Sequence, residues 1–302
     1  MIKKRFISML VLLAAVVTGT VAQTIDLATV TEATTVEDGY TLTGTLGANV
    51  QISIADGATV TLDGVTINGV DDGSYAWAGI TCLGDATIIL SGTNTVKGFY
   101  SEFPGIYVPV DKTLTIEGSG SLTASSNFFG CGIGGGYYKS CGNIVIAGGT
   151  ITATGGMDAA GIGSGNNSSC GNISISGGTV TANGGNQAAG IGGGSEGSCG
   201  TISITGGTIT ATGSFYAAGI GSGYGGPCGT VTITNGVTSV TATKGEDANY
   251  SIGAGMDGSC GTVTIGGVVG AISDSPYTYE AGSGVDIPNS DPYTPGGDPF
   301  SF

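Results

Sequence analysis

A chain of 302 residues with 61 glycines, no histidine and a formal net charge of −15 leaves few chemistries open. Without histidine there is neither a His-activated nucleophile nor an imidazole general base. The acidic balance repels phosphate backbones and anionic membranes, so nucleic acid is excluded as a partner.

The chain opens with Lys3, Lys4 and Arg5, an apolar run from Ile7 to Val17, and small residues at Thr20-Val21-Ala22. This is the pattern of a signal peptide over residues 1–22, with an apolar run shorter than the ~20 residues of a membrane span. It predicts an exported chain (extracellular, cell-surface or periplasmic) with no membrane insertion after cleavage. Three of the seven basic residues lie in this segment. Lys97, Lys112, Lys139 and Lys244 remain, with no arginine for bidentate phosphate recognition.

Residues 23–47 include Asp26, Glu32, Glu37 and Asp38 and show no coil pattern. They are expected to cap the first edge of a solenoid, whose open end is otherwise an unpaired edge. From residue 48 a pattern begins with VQISIADGATVTLDGVTI, and in the middle of the chain it becomes a strict repeat. The stretch AAGIGSGNNSSCGNISISGGTVTANGGN from Ala159 is restated from Ala188 and again from Ala217, 29 residues apart.

A fixed period of short β-type runs punctuated by glycine pairs marks a solenoid. Ile173 and Ile175 alternate with Asn172, Ser174 and Ser176, and Val180 and Ala182 alternate with Thr179, Thr181 and Asn183. These are two strands with aliphatic inner faces. Gly177-Gly178 and Gly184-Gly185 supply the corners, and Ala160-Gly161-Ile162-Gly163 supplies a third, shorter strand.

The first inward position continues through Val60, Ile88, Leu114, Ile144, Ile173, Ile202, Val231 and Val263. A second ladder runs through Ile80, Ile106, Ile133, Ile162, Ile191, Ile220 and Ile252. The predicted fold is all-β: a single-stranded parallel β-helix over residues 48–272, with about eight coils of ~29 residues and three short strands per coil. The remainder, 273–302, carries five of the eight prolines and is expected as a tail or extended cap.

Seven cysteines in an exported chain would ordinarily indicate disulfides. Here Cys141, Cys170, Cys199, Cys228 and Cys260 fall at one coil position, so their Cβ atoms run parallel at about the coil spacing, wider than the ~3.8 Å usual in a disulfide. This favours buried thiols acting as small apolar fillers. Cys131 falls on the ladder of Ala160, Ala189 and Ala218, and Cys82 follows Ile80; both read as packing residues. A metal centre is not expected, because thiols strung along an axis do not converge into a tetrahedron.

Catalytic candidates are few. Asp71-Asp72 is the tightest carboxylate pair, but it sits in a glycine-rich turn where aspartate serves local hydrogen bonding. Asp158 and Glu196 are isolated in their coils, whereas glycoside hydrolysis needs two carboxyls facing across a groove. GIGGG lacks the Lys-Ser/Thr of a phosphate loop. The chain is therefore expected not to be an enzyme.

The aromatics carry more information. All 14 between Thr41 and Gly270 lie beside the third strand. The equivalent corners Met157-Asp158 and Asn186-Gln187 show that the turn does not require a ring. Some rings, Phe128 or Phe215 among them, are expected to close corners. Tyr75, Trp77, Tyr100, Tyr137, Tyr138, Tyr216, Tyr224 and Tyr250 are the candidate carbohydrate-binding residues, because their rings offer an apolar face with a polar handle. The arrangement expected is two ragged rows flanking a shallow trough floored by Gly134-Gly135-Gly136 and its equivalents.

The pattern AAGIGGG…CGxIxIxGGTxTATGG, with the preceding LSGTNTVKG and LTIEGSGSLTAS, resembles the secreted bacterial β-helix proteins labelled carbohydrate-binding domain-containing, which are similar in fold to polysaccharide lyases. The resemblance covers roughly Val60 to Gly245. It implies a right-handed β-helix that binds plant-type or acidic polysaccharide, in some members with Ca²⁺. No residue matches the lyase base or the clustered acidic calcium site, so no catalytic residue carries over. The expected function is a polysaccharide-binding module. The alternatives are a structural or adhesive surface rod, a carboxylate-based lyase or glycosidase, and ice binding by the outward threonine ranks Thr150/Thr152/Thr154, Thr179/Thr181 and Thr208/Thr210/Thr212.

Overall fold

The computed structural model describes residues 23–283 and residue 285. The expected signal peptide and the chain beyond 285 lie outside these residues. The described chain is all-β apart from a one-turn 3-10 helix at Leu27–Thr29. Its strands stack in parallel into a right-handed solenoid of about seven turns.

One middle coil shows how the sequence produces this shape. It contains the strands Ile162–Gly163, Ser169–Cys170, Ile173–Ile175 and Thr179–Asn183. The Ser169–Cys170 strand is additional to the three that alternation predicts, because two residues are too few to show a period. Each strand pairs with its copy one repeat later: Ile162 with Ile191, Cys170 with Cys199, Ile173 with Ile202 and Val180 with Ile209. Ile173, Ile175, Val180 and Ala182 are all 1% exposed or less, so the alternating aliphatics do form the core. On the outer face, Thr66, Thr95, Thr123, Thr152, Thr181, Thr210 and Thr241 follow one another in register.

The isoleucine ladder from Ile80 to Ile252 pairs rung for rung as predicted. The other ladder differs at one step. Ile88 pairs with Ile116, while Leu114 pairs with Ala86, which in turn pairs with Ala58. The inward set is therefore Ala58, Ala86, Leu114, Ile144 and onward, and Val60 and Ile88 belong to the neighbouring inward column. A two-residue slip keeps every side chain on its own face, which is why hydrophobic alternation could not reveal it.

The two ends are built differently. Gln23–Asp26 pairs in parallel with Tyr40–Thr45, which pairs with Ala58–Asn68, and Thr34–Val36 pairs with Ile52–Ile54. Residues 23–47 thus supply parallel strands of their own, with Leu27, Val36 and Leu42 fully buried. At the far end the pairing reverses. Val268–Val269 runs antiparallel to Val263–Ile265, and Tyr277–Glu280 runs antiparallel to Ser239–Thr243. Tyr279 is buried, and its hydroxyl is hydrogen-bonded to Asn235. The strand that opens at Val263 therefore never completes a turn, so eight rungs bound about seven turns rather than eight.

Stacking also fixes one column of glycines. Gly134, Gly163, Gly192 and Gly221 have φ of 134°, 140°, 132° and 137°. A Cβ on Gly163 would lie 2.0 Å from the carbonyl oxygen of Gly192. The next coil occupies the space that a side chain would need, and the backbone region disfavours L residues in any case.

The register and the glycine column can each be tested by substitution. Ile173→Asp should prevent folding while Ser174→Asp is tolerated, because burying an unpaired carboxylate costs several kcal/mol and Ser174 faces outward. Circular dichroism and urea unfolding check this, and equal tolerance of both would refute the register. Gly163→Ala should destabilise by roughly 2 kcal/mol or more, well above the usual cost of a surface change, measurable in the same unfolding experiment.

Candidate functional site

The short strand is enclosed by two tight turns. Before it, Ala159 N–H donates to Gly156 O (3.1 Å), as Ala188 does to Gly185 (3.1 Å) and Ala217 to Ser214 (3.0 Å). After it, Lys139 N–H donates to Gly136 O (3.1 Å) and Gly197 N–H to Gly194 O (3.1 Å). Between the turns the chain doubles back, with Ala160 N–H donating to Ser164 O (3.1 Å) and Ala189 N–H to Gly193 O (2.9 Å).

This closure brings the two rows of turns together. Ser195 N–H donates to Asp158 O, and Tyr224 N–H to Gln187 O, both at 3.0 Å. The rows form one ridge along the rod instead of flanking a trough. The expected glycine floor is absent because Gly134, Gly135 and Gly136 are buried. A Cβ on Gly134 would meet Gly163 O at 2.1 Å, and one on Gly136 would meet Glu102 O at 2.2 Å. Those glycines admit neighbouring backbone and leave no room for a ligand.

Aromatic rings gather on this ridge in separate patches. In the first, Phe129 stacks on Tyr137 (5.1 Å, 28°), and Phe128 and Tyr138 meet these edge-on at 4.7 and 4.5 Å. Lys139 Nζ lies 4.5 Å from the centre of the Phe103 ring. Desolvation, a side-chain hydrogen bond with Tyr138 and the Glu102 charge raise the pKa of the Tyr137 hydroxyl. The second patch joins Tyr216 to Phe215 (6.3 Å) and to Tyr224 (5.6 Å).

A third group, Tyr75, Trp77 and Phe99, is of another kind. Phe99 is 1% exposed, Tyr75 and Trp77 pack against the core, and Trp77 Nε1 is buried without a hydrogen bond. Tyr100 is half-buried beside Gly73. Tyr250 stands apart, lining a cavity of about 340 Å³ with Asn249 and Cys260. The eight candidates therefore fall into separate groups: Tyr137 with Tyr138 and Tyr216 with Tyr224 on the ridge, Tyr75 with Trp77 (5.5 Å) against the core, and Tyr100 and Tyr250 outside these pairs.

Phe128 and Phe215, expected to close corners, are instead 41% and 53% exposed. Their place in the same turns as the tyrosines was the available signal.

Backbone conformation singles out Tyr138. The third residue of the second turn has positive φ in six successive coils: Asp111 (62°), Tyr138 (50°), Asn167 (50°), Glu196 (52°), Gly225 (67°) and Asp257 (54°). Glycine and asparagine suit this region, and a bulky aromatic does not. Yet Tyr138 is 66% exposed, so burial does not account for its presence. In the first row Phe215 takes φ of 40°, whereas Asp158 and Gln187, one position later in their turns, take 62° and 60°. The turn carrying Phe215 is thus inverted relative to its neighbours.

The carboxylates have local duties. Asp72 accepts a hydrogen bond from Ser74 N–H (2.8 Å), which holds its pKa down, and Asp71 accepts from Ser101 Oγ (2.7 Å). Burial raises the pKa of Asp158, opposed by a hydrogen bond from Asn186. Among the described residues, no group of three or more Cys, Asp or Glu side chains converges to hold a metal ion. No helix among them is long and apolar enough to cross a membrane.

A family model described as a beta helix repeat matches residues 114–137, 144–166, 173–195 and 202–224. Each match opens on an inward aliphatic of the Leu114 ladder and closes on the ridge, at Tyr137, Asn166, Ser195 or Tyr224. The repeat it describes therefore runs from the core strand to the second turn. No curated protein and no solved structure matches the chain.

If the Tyr138 ring is there for contact with something outside the fold, replacing it should cost the fold nothing. Tyr138→Asn is expected to leave stability unchanged or raise it by up to ~1 kcal/mol, since asparagine tolerates left-handed backbone. A loss of more than ~1 kcal/mol in urea unfolding would make the ring a packing residue.

Proposed function

We propose that the chain is a secreted, non-catalytic polysaccharide-binding rod whose contact surface is the aromatic ridge. The observation that carries this reading is Tyr138: a large ring, mostly exposed, held at a backbone angle that its counterparts in other coils meet with Asn, Glu, Gly or Asp. Backbone cost together with solvent exposure is characteristic of binding positions.

Tyr137 and Tyr224 occupy the same turn position three coils apart, roughly 14 Å at the inter-strand spacing. An extended glycan lying along the rod could therefore rest on both patches, each supplying a few contacts of the kind that dominate binding energy. With 22 acidic residues against seven basic ones, a neutral glycan approaches without penalty, and an anionic one needs a bridging cation such as Ca²⁺.

A glycan array read with and without Ca²⁺ identifies the ligand class. Tyr137→Ala/Tyr138→Ala and Tyr216→Ala/Tyr224→Ala should then each weaken binding to the identified glycan at least tenfold, about 1.4 kcal/mol, with circular dichroism unchanged. If both double variants bind as the parent does, the ridge is surface packing and the chain is better read as a structural or adhesive rod.

A further inference from the structure

Cys141, Cys170, Cys199, Cys228 and Cys260 occupy one position in successive coils. The two-residue strands that carry the last four pair in register, Cys170 with Cys199, Cys199 with Cys228 and Cys228 with Cys260. Cα atoms one coil apart, ~4.8 Å, fall inside the range a disulfide accepts. Whether the sulfurs meet depends on how the side chains lean.

One neighbouring pair is in close contact. Cys199 Sγ and Cys228 Sγ are 2.7 Å apart, closer than unbonded sulfurs ordinarily approach and nearer to the ~2.05 Å of an S–S bond. The Cys141 and Cys170 thiols are also in hydrogen-bond contact. The Cys260 thiol reaches Cys228 from the other side.

Cavities border the ladder at both ends. Cys141 and Cys170 line a cavity of about 360 Å³ with Ser140, Asn143 and Ser169, and Cys260 lines the cavity beside Tyr250. Cys170, Cys199 and Cys228 are 6–7% exposed, and Cys260 is the least buried of the five.

We propose that this ladder is an oxidative modification site in which Cys199–Cys228 and Cys141–Cys170 close as two disulfides between successive coils, leaving Cys260 as the free thiol of the five. Five thiols in a line can form at most two neighbouring pairs, and the 2.7 Å contact selects which pairs form. The two other choices, Cys228–Cys260 with either Cys141–Cys170 or Cys170–Cys199, would both separate the two sulfurs already in contact. Each bridge ties one coil covalently to the next, across the interface that must open when a solenoid unzips.

Hydrogen bonding with a neighbouring thiol, and then burial, raise the pKa of Cys141, Cys228 and Cys260, so the thiolate that reacts is scarce at neutral pH and oxidation accelerates as pH rises.

Diamide, a diazene oxidant, tests the pairing. One thiolate adds to the N=N bond, and the neighbouring thiolate then attacks that sulfur. An S–S bond forms, and the two electrons and two protons of the thiol pair leave on the reduced hydrazine. The full folded chain is treated at about pH 8.5, near the ordinary thiol pKa, denatured with an alkylating agent, digested without reduction and mapped by mass spectrometry.

The expected result is disulfide-linked Cys199–Cys228 and Cys141–Cys170 peptides, with Cys82, Cys131 and Cys260 alkylated. Cys260→Ser should give the same two bridges. The proposal is overturned by finding no intramolecular disulfide, by a Cys228–Cys260 bridge with either Cys141–Cys170 or Cys170–Cys199, or by loss of a bridge in Cys260→Ser. The outcome is independent of whether the ridge binds a glycan.

Discussion

The structure depends on backbone stacked on backbone at the inter-strand distance. The strands satisfy their N–H and C=O groups on the neighbouring coils, so a strand residue's surroundings are set first by the same position one coil away. The glycine column at Gly134, Gly163, Gly192 and Gly221 is the most stringent consequence, since each missing Cβ is replaced by the carbonyl of the next coil within 2.1 Å of where it would be. The inward isoleucines obey the same constraint in a softer form, because identical side chains stacked in register fill a column of constant width.

Where stacking does not reach the side chain, the sequence is free. The second turn holds Tyr137-Tyr138, Asn166-Asn167, Ser195-Glu196, Tyr224-Gly225 and Met256-Asp257 on nearly the same backbone. Main-chain hydrogen bonds such as Ser195 to Asp158 hold the ridge whatever the side chains are. A scaffold with that property can carry a binding surface on a few coils and none on the others.

Much of the fold was legible because a period of two within a period of 29 marks both the strand faces and the coil. The exceptions share a physical cause. The two-residue slip at Leu114 preserved the inward face, so alternation could not detect it. Asn94 lies at an inward position opposite Leu122 and is fully buried, yet it is polar. Its side chain accepts from Val65 N–H and donates to Ser91 O and Ser121 O, replacing ladder bonds that the chain lacks there. A polar residue breaks the pattern by which core is recognised. The candidate site was legible only as an edge rich in aromatics, because the fold-back that turns two rows into one ridge is made by main-chain hydrogen bonds, such as Ala160 to Ser164, that leave no mark on residue type.

Backbone cost also separates rings that serve the fold from rings that do not. Phe99 is fully buried and Trp77 packs on the core, so their presence is explained by apolar area removed from water. Tyr138 gains little from burial at 66% exposure and sits at a positive φ. Neighbouring coils tolerate that local cost because the turn is fixed by Gly136–Lys139 hydrogen bonding and by the coil beneath it. Cumulative stacking along the rod thus supplies the stability that lets single positions depart from what the turn prefers, and such departures, more than aromatic content alone, locate the surface available for recognition.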